Sequence, residues 1–512
     1  TSGMTSTSGF KYYAELTVSA WGSSSNADVG ILNTTTTVMT TGSFALSGCI
    51  GSYLSNGYSI NKGGNVYNNG TSLASSLTTF ADGDIVQIAY DGTYIYFGKN
   101  GTWLNSAVPA SGTGGYSVAA GTYAFAFGVT SNTSQTGTVI GNFGQRPFTY
   151  TAPTGFVALN TYNLSTPTIP NGATQTAATL YTGTNATLAI ANTVNGTNFQ
   201  PDFVWIKSRS NSTNHALFDS VRGVRAVLSS NATAAEVLDT AGTSLTSFDS
   251  TGFSLGTTSA TAGTNVSGQT YVAWQWKANG TGVTNTSGSI TSTVSANTTA
   301  GFSIVTYTGT GANATVGHGL GVAPSMVIAK NRTTADDWMV WHSAFPGTDY
   351  ILLNSTGAKS TLATVWNSTV PSSTVFSLGT NLTINRSGNA NVAYVFAAIA
   401  GYSAFGSYAG NSSTDGPFIY TGFRPRWILI RSTTGARDWL LYDTSRLYYN
   451  DGPEGPLQPN TSGTAYSGGY LGLDILANGF KLRESTINLN ASGETMIYAC
   501  FAENPFKYSN AR

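Results

Sequence analysis

Charge is what this sequence most lacks. Only 9% of its 512 residues are Asp, Glu, Lys or Arg, against about 25% in an ordinary soluble protein. The 22 acidic and 22 basic residues cancel. A balanced, sparse charge set excludes phosphate-dominated nucleic-acid binding, which needs a basic excess. It also excludes electrostatic docking on an anionic membrane. There are two cysteines, Cys49 and Cys500, far apart in the chain and read as unpaired buried thiols. The three histidines, His215, His318 and His342, show no metal-ligand spacing. No apolar run approaches the roughly eighteen residues of a membrane-spanning helix. No signal peptide is visible, and the first residue is Thr1 rather than Met, which fits a processed start or a numbering that begins inside a longer product.

Small polar residues and aromatics stand where charge is missing. Gly, Ser, Thr and Asn dominate, and aromatics reach 12%, too many for a disordered polar tract. Asn-x-Ser/Thr triplets recur, but a chain this rich in Asn and Thr makes them by composition, so they imply no glycosylation. Short runs of Val, Ile, Tyr, Trp and Thr between Gly, Asn and Asp turns predict strands nearly throughout. Lys11–Trp21, "KYYAELTVSAW", alternates, with Tyr12, Ala14, Leu16 and Val18 on one face and Tyr13, Glu15 and Thr17 on the other. Gly83–Trp103 reads as two hairpins, turned at Asp91-Gly92 and Asn100-Gly101. The one short helix candidate is Asn231–Ala241.

In residues 9–161 the pieces "KYYAELTV", "VGIL", "GYSINKGGNVYNNG", "FADGDIVQIAYD", "YIYFGKNGTW" and "NFGQRPF" follow one another in order. This segment resembles the SPRY family. The resemblance implies a bent, concanavalin-like β-sandwich that closes near Asn142–Phe148, packs Pro153–Leu159 back on itself, and binds partners through loops without catalysis.

The remainder repeats itself. "QPDFVWIKSR" (Gln200), "APSMVIAKNR" (Ala323) and "RPRWILIRST" (Arg424) open three copies. "HALFDS" (His215), "WMVWHS" (Trp338) and "WLLYDT" (Trp439) follow, then "GFSLG" (Gly252), "VFSLG" (Val375) and "GFKLR" (Gly479). Ser-Gly and an apolar strand close each copy, at Ser267, Ser387 and Ser492. A period of roughly 100–120 residues is too long for a solenoid, so each copy is a small domain or sub-domain. The runs "FVWI", "MVIA" and "WILI" predict strands buried on both faces. Trp276, Phe396 and Phe501, each at the same distance after the repeated Gly, are expected at equivalent buried positions.

The expected fold class is all-β, with copies at 178–280, 300–400 and 401–512 behind the sandwich. "TVFSLGT", "GYSAFGSYAGN", "GPFIYTGFRPRWILIR" and "CFAENPFK" give residues 178–512 a resemblance to a module of tailed-phage tail-fibre and virion-surface proteins. That resemblance implies a virion-surface location, other virion proteins as partners, and a homo-oligomer, expected as a trimer. Copy one departs from the pattern, with Asn214-His215 where the others have Asp337-Trp338 and Asp438-Trp439.

Candidate chemistry is sparse. His342 beside Ser343, Asp336 and Asp337 suggests a triad, but the other copies carry Asp219 and Asp443 in place of the histidine, and triads assemble in space rather than along the chain. "DGPEGP" (Asp451–Pro456) offers two carboxylates, few for Ca²⁺ with its six to eight oxygens. Gly309–Gly321 is Gly-rich with no Lys or helix after it, and reads as a loop. The repeated Trp338, Trp341, Trp439 and Tyr442 fit core packing or sugar platforms. No catalytic residue, metal site or cofactor is assigned. The glycan-binding candidates are Tyr58, Tyr67, Asn100 and Trp103, at or beside turns, where aromatics stack on sugar rings or else cover the sandwich edge. Three functions are open: a phage surface fibre binding a host polysaccharide or protein without turnover, a bacterial surface adhesin, and a polysaccharide depolymerase, which would need a carboxylate pair.

Overall fold

The computed structural model describes residues 4–5, 11–21, 27–33, 50, 57–129, 138–160, 163, 166–194, 196–257, 261–446, 454–465, 472–485 and 487–509. Cys49, Asp451 and Thr1 lie outside them. The described chain is built from mainly antiparallel sheets with three four-residue α-helices and two short 3-10 turns, and none of its helices is long and apolar enough to cross a membrane. Residues 1–165 and 166–512 form two compact units.

Unit 1 is a β-sandwich. One sheet orders its strands Met4–Thr5, Thr122–Val129, Ala27–Asn33, Gly57–Asn61, Val66–Asn68 and Thr71–Ala74. The other runs Tyr116–Ser117, Tyr94–Lys99, Ile85–Tyr90, Lys11–Ala20 and Thr138–Asn142. Tyr12, Leu16 and Val18 meet Val29, Ile31 and Ile60 in the core between them, as the alternation of Lys11–Ala20 requires. The opposite face of that strand is also covered. Tyr13 packs edge-on against Phe148, with ring centroids 4.8 Å apart, and Phe156–Ala158 adds a parallel strand beside Lys11–Tyr13. The buried Glu15 carboxylate accepts from the Thr149 and Tyr150 amides at 2.8 and 2.7 Å. One acidic residue therefore fastens the returning segment across the sandwich. The hairpin at Asn100-Gly101 takes positive φ at both turn residues, 48° and 90°, the mirror-image turn that matches strand twist.

Unit 2 holds the three copies. Each has a large sheet in which a closing strand (Thr270–Trp276, Ala390–Phe396, Thr495–Pro505) lies between an opening strand (Thr176–Thr182, Phe302–Thr308, Ser403–Ala409) and a central strand (Phe203–Ser208, Met326–Asn331, Phe423–Ser432). A short inner strand (Ala216–Asp219, Met339–His342, Leu440–Asp443) follows on the central strand. A smaller sheet covers one face. In copy one, Val204, Ile206 and Phe218 pack there against Phe253 and Leu255. The alternate residues Phe203, Trp205 and Leu217 turn the other way, into a core that runs through all three copies. Both faces are apolar, which explains the unbroken apolar runs.

Trp276, Phe396 and Phe501 occupy one register position, paired with Phe203, Met326 and Trp427 respectively. They also touch one another, with centroid distances of 6.3, 5.7 and 5.7 Å. Their mutual contact makes them the hub of a pseudo-threefold ring. An apolar cavity of about 10 Å³ lies beside them, lined by Trp205, Ile328, Phe405 and Trp427 among others. Among the described residues copy two alone carries an added hairpin, Val283–Asn285 with Ser292–Asn297, which extends its large sheet beyond the opening strand.

Asn231–Ala241 is not a helix. It holds the two-residue strand Val237–Leu238, and its polar groups are committed elsewhere. The Asn231 side chain caps the His215 amide, and Glu236 binds Arg222 and Arg332.

Candidate functional site

The repeated polar residues of unit 2 converge on the joints between copies. The Trp338 indole donates to the Ser229 carbonyl at 2.9 Å, from copy two to copy one. The Trp439 indole donates to the Leu352 carbonyl at 2.9 Å, from copy three to copy two. The His215 Nε2 closes the ring on the Gln458 carbonyl at 3.1 Å, from copy one to copy three. The three acceptors are equivalent, each following the residue paired with Leu217, Val340 or Leu441. His215 Nδ1 accepts from the Trp205 indole at 2.8 Å, which leaves the proton on Nε2. Burial first, then the charges of Lys207 and Arg446, pull its pKa down to about 3. It is neutral and does the work of an indole.

An asparagine staples each donor. Asn231, Asn354 and Asn460 accept from the backbone amides of His215, Trp338 and Trp439, all at 2.9 Å. Their own side-chain amides donate to Asn214, Asp337 and Asp438. Asn214-His215 therefore replaces Asp-Trp without loss of the arrangement, and the Asp-Trp pair is a packing device.

The position of Asp219, His342 and Asp443 forms a second joint. Asp219 and Asp443 form buried ion pairs with Arg222 and Arg446. Each carboxylate also accepts from a neighbouring copy, from the Tyr394 hydroxyl at 2.9 Å and the Trp274 indole at 3.0 Å. Trp274, Tyr394 and Ala499 are equivalent on the closing strands. Where copy three offers only Ala499, the facing joint has no carboxylate. It has His342 packed edge-on against Phe345, centroids 5.9 Å apart. His342 Nδ1 accepts from the Ala344 amide, and Nε2 reaches the Tyr498 carbonyl at 3.2 Å. Burial lowers its pKa to about 4. Asp336 and Asp337 bond Thr334 and Asn354 instead. The triad suggested by the sequence is not assembled. In the Asp451–Pro456 loop, Glu454 pairs with Arg209 across the joint of copies three and one.

Buried cations mark a third repeated position. Lys207, Lys330 and Arg431 follow one another in register and are fully buried. Burial lowers the two lysines to about 8 and the arginine to about 10. Lys330 donates to the Thr233 carbonyl of copy one, and Arg431 to the Gly357 carbonyl of copy two.

One repeated group escaped the sequence reading. Asn265, Asn385 and Asn490 stand two residues before the repeated Ser-Gly motif, in Asn-x-Ser triplets, and all are fully buried. Each amide holds a loop inside its own copy, Asn265 donating to Ala186 and Gly256, Asn385 to Ala312 and Gly379, and Asn490 to Ser413 and Glu484. Threefold recurrence before Ser-Gly was the available signal.

The four glycan candidates of unit 1 separate. Tyr58 is a correction: it is core, 6% exposed, with its hydroxyl accepting from the Ala119 amide. Its strand pairs on both sides, so the turn nearby does not expose it. Asn100 sits exposed in its turn, but its side chain accepts from the Ile85 amide and donates to Asp84, so it shapes the hairpin. Trp103 is half-buried against Tyr13, centroids 6.2 Å apart. Tyr67 is half-buried on the other sheet, between Ser59 and Ser72. Tyr67 and Trp103 retain a partly open aromatic face, on different sheets.

A family model described as a domain of unknown function, DUF7483, matches residues 172–505. No curated protein matches the chain. Among solved structures, a human SPRY domain is similar over 28% of this chain and 74% of its own, at 13% identity and a TM-score of 0.16.

Proposed function

This chain belongs to the DUF7483 family over most of its length, and we propose, from the sequence phrases of residues 178–512 rather than from that family, that it is a non-catalytic structural protein of a virion surface, of the tail-fibre type. In this reading unit 2 is a rigid body and unit 1 binds a host surface polymer. The observation that carries the reading is the use made of the reactive-looking groups. His215, Trp338, Trp439, Asp219 and Asp443 are each bonded across a joint between copies. Such groups hold modules in place, and their polar atoms are taken up by neighbouring copies. The virion location, the other virion proteins as partners and the assembly of whole chains into a homotrimer rest on the likeness of residues 178–512 to phage modules. The recognition role rests on Tyr67 and Trp103.

Adsorption of the full chain to cells that the parent particle infects, and to their isolated surface polysaccharide, tests this reading. Tyr67→Ala should reduce adsorption with unit 1 still folded at the assay temperature. Trp103→Ala should reduce both, because Trp103 also packs on Tyr13. The polymer should keep its length throughout incubation. Shortening of the polymer would overturn the absence of catalysis, and wild-type adsorption by both variants would remove unit 1 from recognition.

A further inference from the structure

The added hairpin of copy two builds a surface that the other copies lack. Thr284, Thr293 and Thr306 are consecutive partners across three neighbouring strands. With Thr291, Thr308 and Arg332 they line an open groove of about 200 Å³. Among the described residues none of these five threonine hydroxyls bonds another protein group. The equivalents of Thr306 are Leu180 in copy one and Ser407 in copy three, opposite Val272 and Ile497 on the closing strands. The three-strand row depends on the added hairpin, which supplies Thr284 and Thr293 beside Thr306.

The charge of the groove is settled by its one cation. Arg332 uses Nε and Nη2 on the two Glu236 oxygens, both at 2.8 Å, and Glu236 also receives Arg222. The guanidinium is fixed and its charge offset, and Nη1 remains to donate to an acceptor oxygen. Five hydroxyls that both donate and accept, beside one immobilised donor, match a ligand dense in hydroxyls and without net charge.

We infer that this groove is a binding site for a neutral saccharide, in unit 2 and separate from the turn residues of unit 1. The inference stands apart from the recognition role given to unit 1, and the two fail separately. No aromatic face is exposed here, so affinity comes from hydrogen bonds and is modest for one site. Because the groove holds no unbalanced charge, binding changes little with salt.

The test uses the full chain with maltohexaose, chitohexaose and hexagalacturonate as probes, by saturation-transfer NMR and titration. Thr293→Val with Thr306→Val removes two hydroxyls at constant shape in residues that favour strands. One or both neutral probes should bind, and the double variant should weaken that binding by about tenfold, with the thermal transition of unit 2 unchanged. The titrations are repeated in a Tyr67→Ala background, which removes the contribution proposed for unit 1, and there the groove binding should remain and still depend on Thr293 and Thr306. Binding by none of the probes, binding only of the uronate, or neutral-probe binding that persists in the double variant in that background would each overturn the inference. Loss in Tyr67→Ala alone would assign the sugar to unit 1 and leave this groove without a role.

Discussion

The Trp439 indole of the third copy donates to the Leu352 carbonyl of the second at 2.9 Å, and Trp439 is only 1% exposed. The same bond recurs at Trp338 and, through an imidazole, at His215. Trp439→Phe keeps most of the shape and removes the donor. A buried carbonyl left without its partner costs about 1–3 kcal/mol. Denaturant unfolding should show unit 2 destabilised by that amount and unit 1 unchanged. Equal midpoints for variant and wild type would mean that this joint contributes nothing.

The ion pairs at Asp219 and Asp443 predict a non-additive pattern. Asp443→Ala strands the Arg446 charge in a fully buried site and should cost about 3–5 kcal/mol. Asp443→Ala combined with Arg446→Met should cost less than the single change, because no unpaired charge remains. Copy two already holds an uncharged version of this joint, His342 against Phe345. A double-mutant cycle measures the coupling. A double variant worse than the single one contradicts the assignment.

The buried histidines fix a pH dependence. His215 and His342 titrate near 3 and 4 in the folded chain, against an ordinary value of 6.5. As pH falls below about 6.5 the unfolded chain takes up protons that the folded chain refuses, so stability is lost. It is fully present above about pH 6.5. Below that it declines by up to about 1.4 kcal/mol per pH unit for each histidine, through about pH 4 for His342 and on to about 3 for His215. Glu236 adds to the loss at the acid end. Burial alone would raise its pKa, but the hydrogen bond from Arg332 and the charge of Arg222 outweigh that and hold it below 4.5. His342→Gln retains a side-chain N–H for the Tyr498 carbonyl and cannot titrate. Its urea midpoint should fall less steeply between pH 6.5 and 4 than that of the wild type. Parallel curves would show that His342 is not neutral in the fold.

The repeat was legible in the sequence because strand register preserves spacing. Trp276, Phe396 and Phe501 could be aligned on the Ser-Gly before them, and the structure places them in one register position. That they touch one another was not legible. Periodicity shows that a strand is buried on both faces, but not whether its second face meets a separate sheet or a sister copy. The same limit applies to His215. Beside two tryptophans it looks like the loss of a site, yet Asn231 and Trp205 position its ring to make the same bond. In unit 1 the turn chemistry at Asn100-Gly101 was readable, whereas the burial of Tyr58 depended on strands distant in sequence. Tyr123, 65 residues later in the chain, packs against it from the other side of the strand between them.

The three copies in one chain form a closed ring sharing one core. Native-state hydrogen exchange on the full chain, comparing wild type with His215→Ala, tests it most directly. In a closed ring the bond from His215 to Gln458 supports copy three as well as copy one. The variant should lower protection by a similar factor at Leu441 and Leu457 in copy three, Ile206 in copy one and Ile328 in copy two, with Ile88 in unit 1 unchanged. Loss of protection confined to copy one, with copies two and three exchanging as in the wild type, would contradict the ring and reduce the three copies to independent domains on a string.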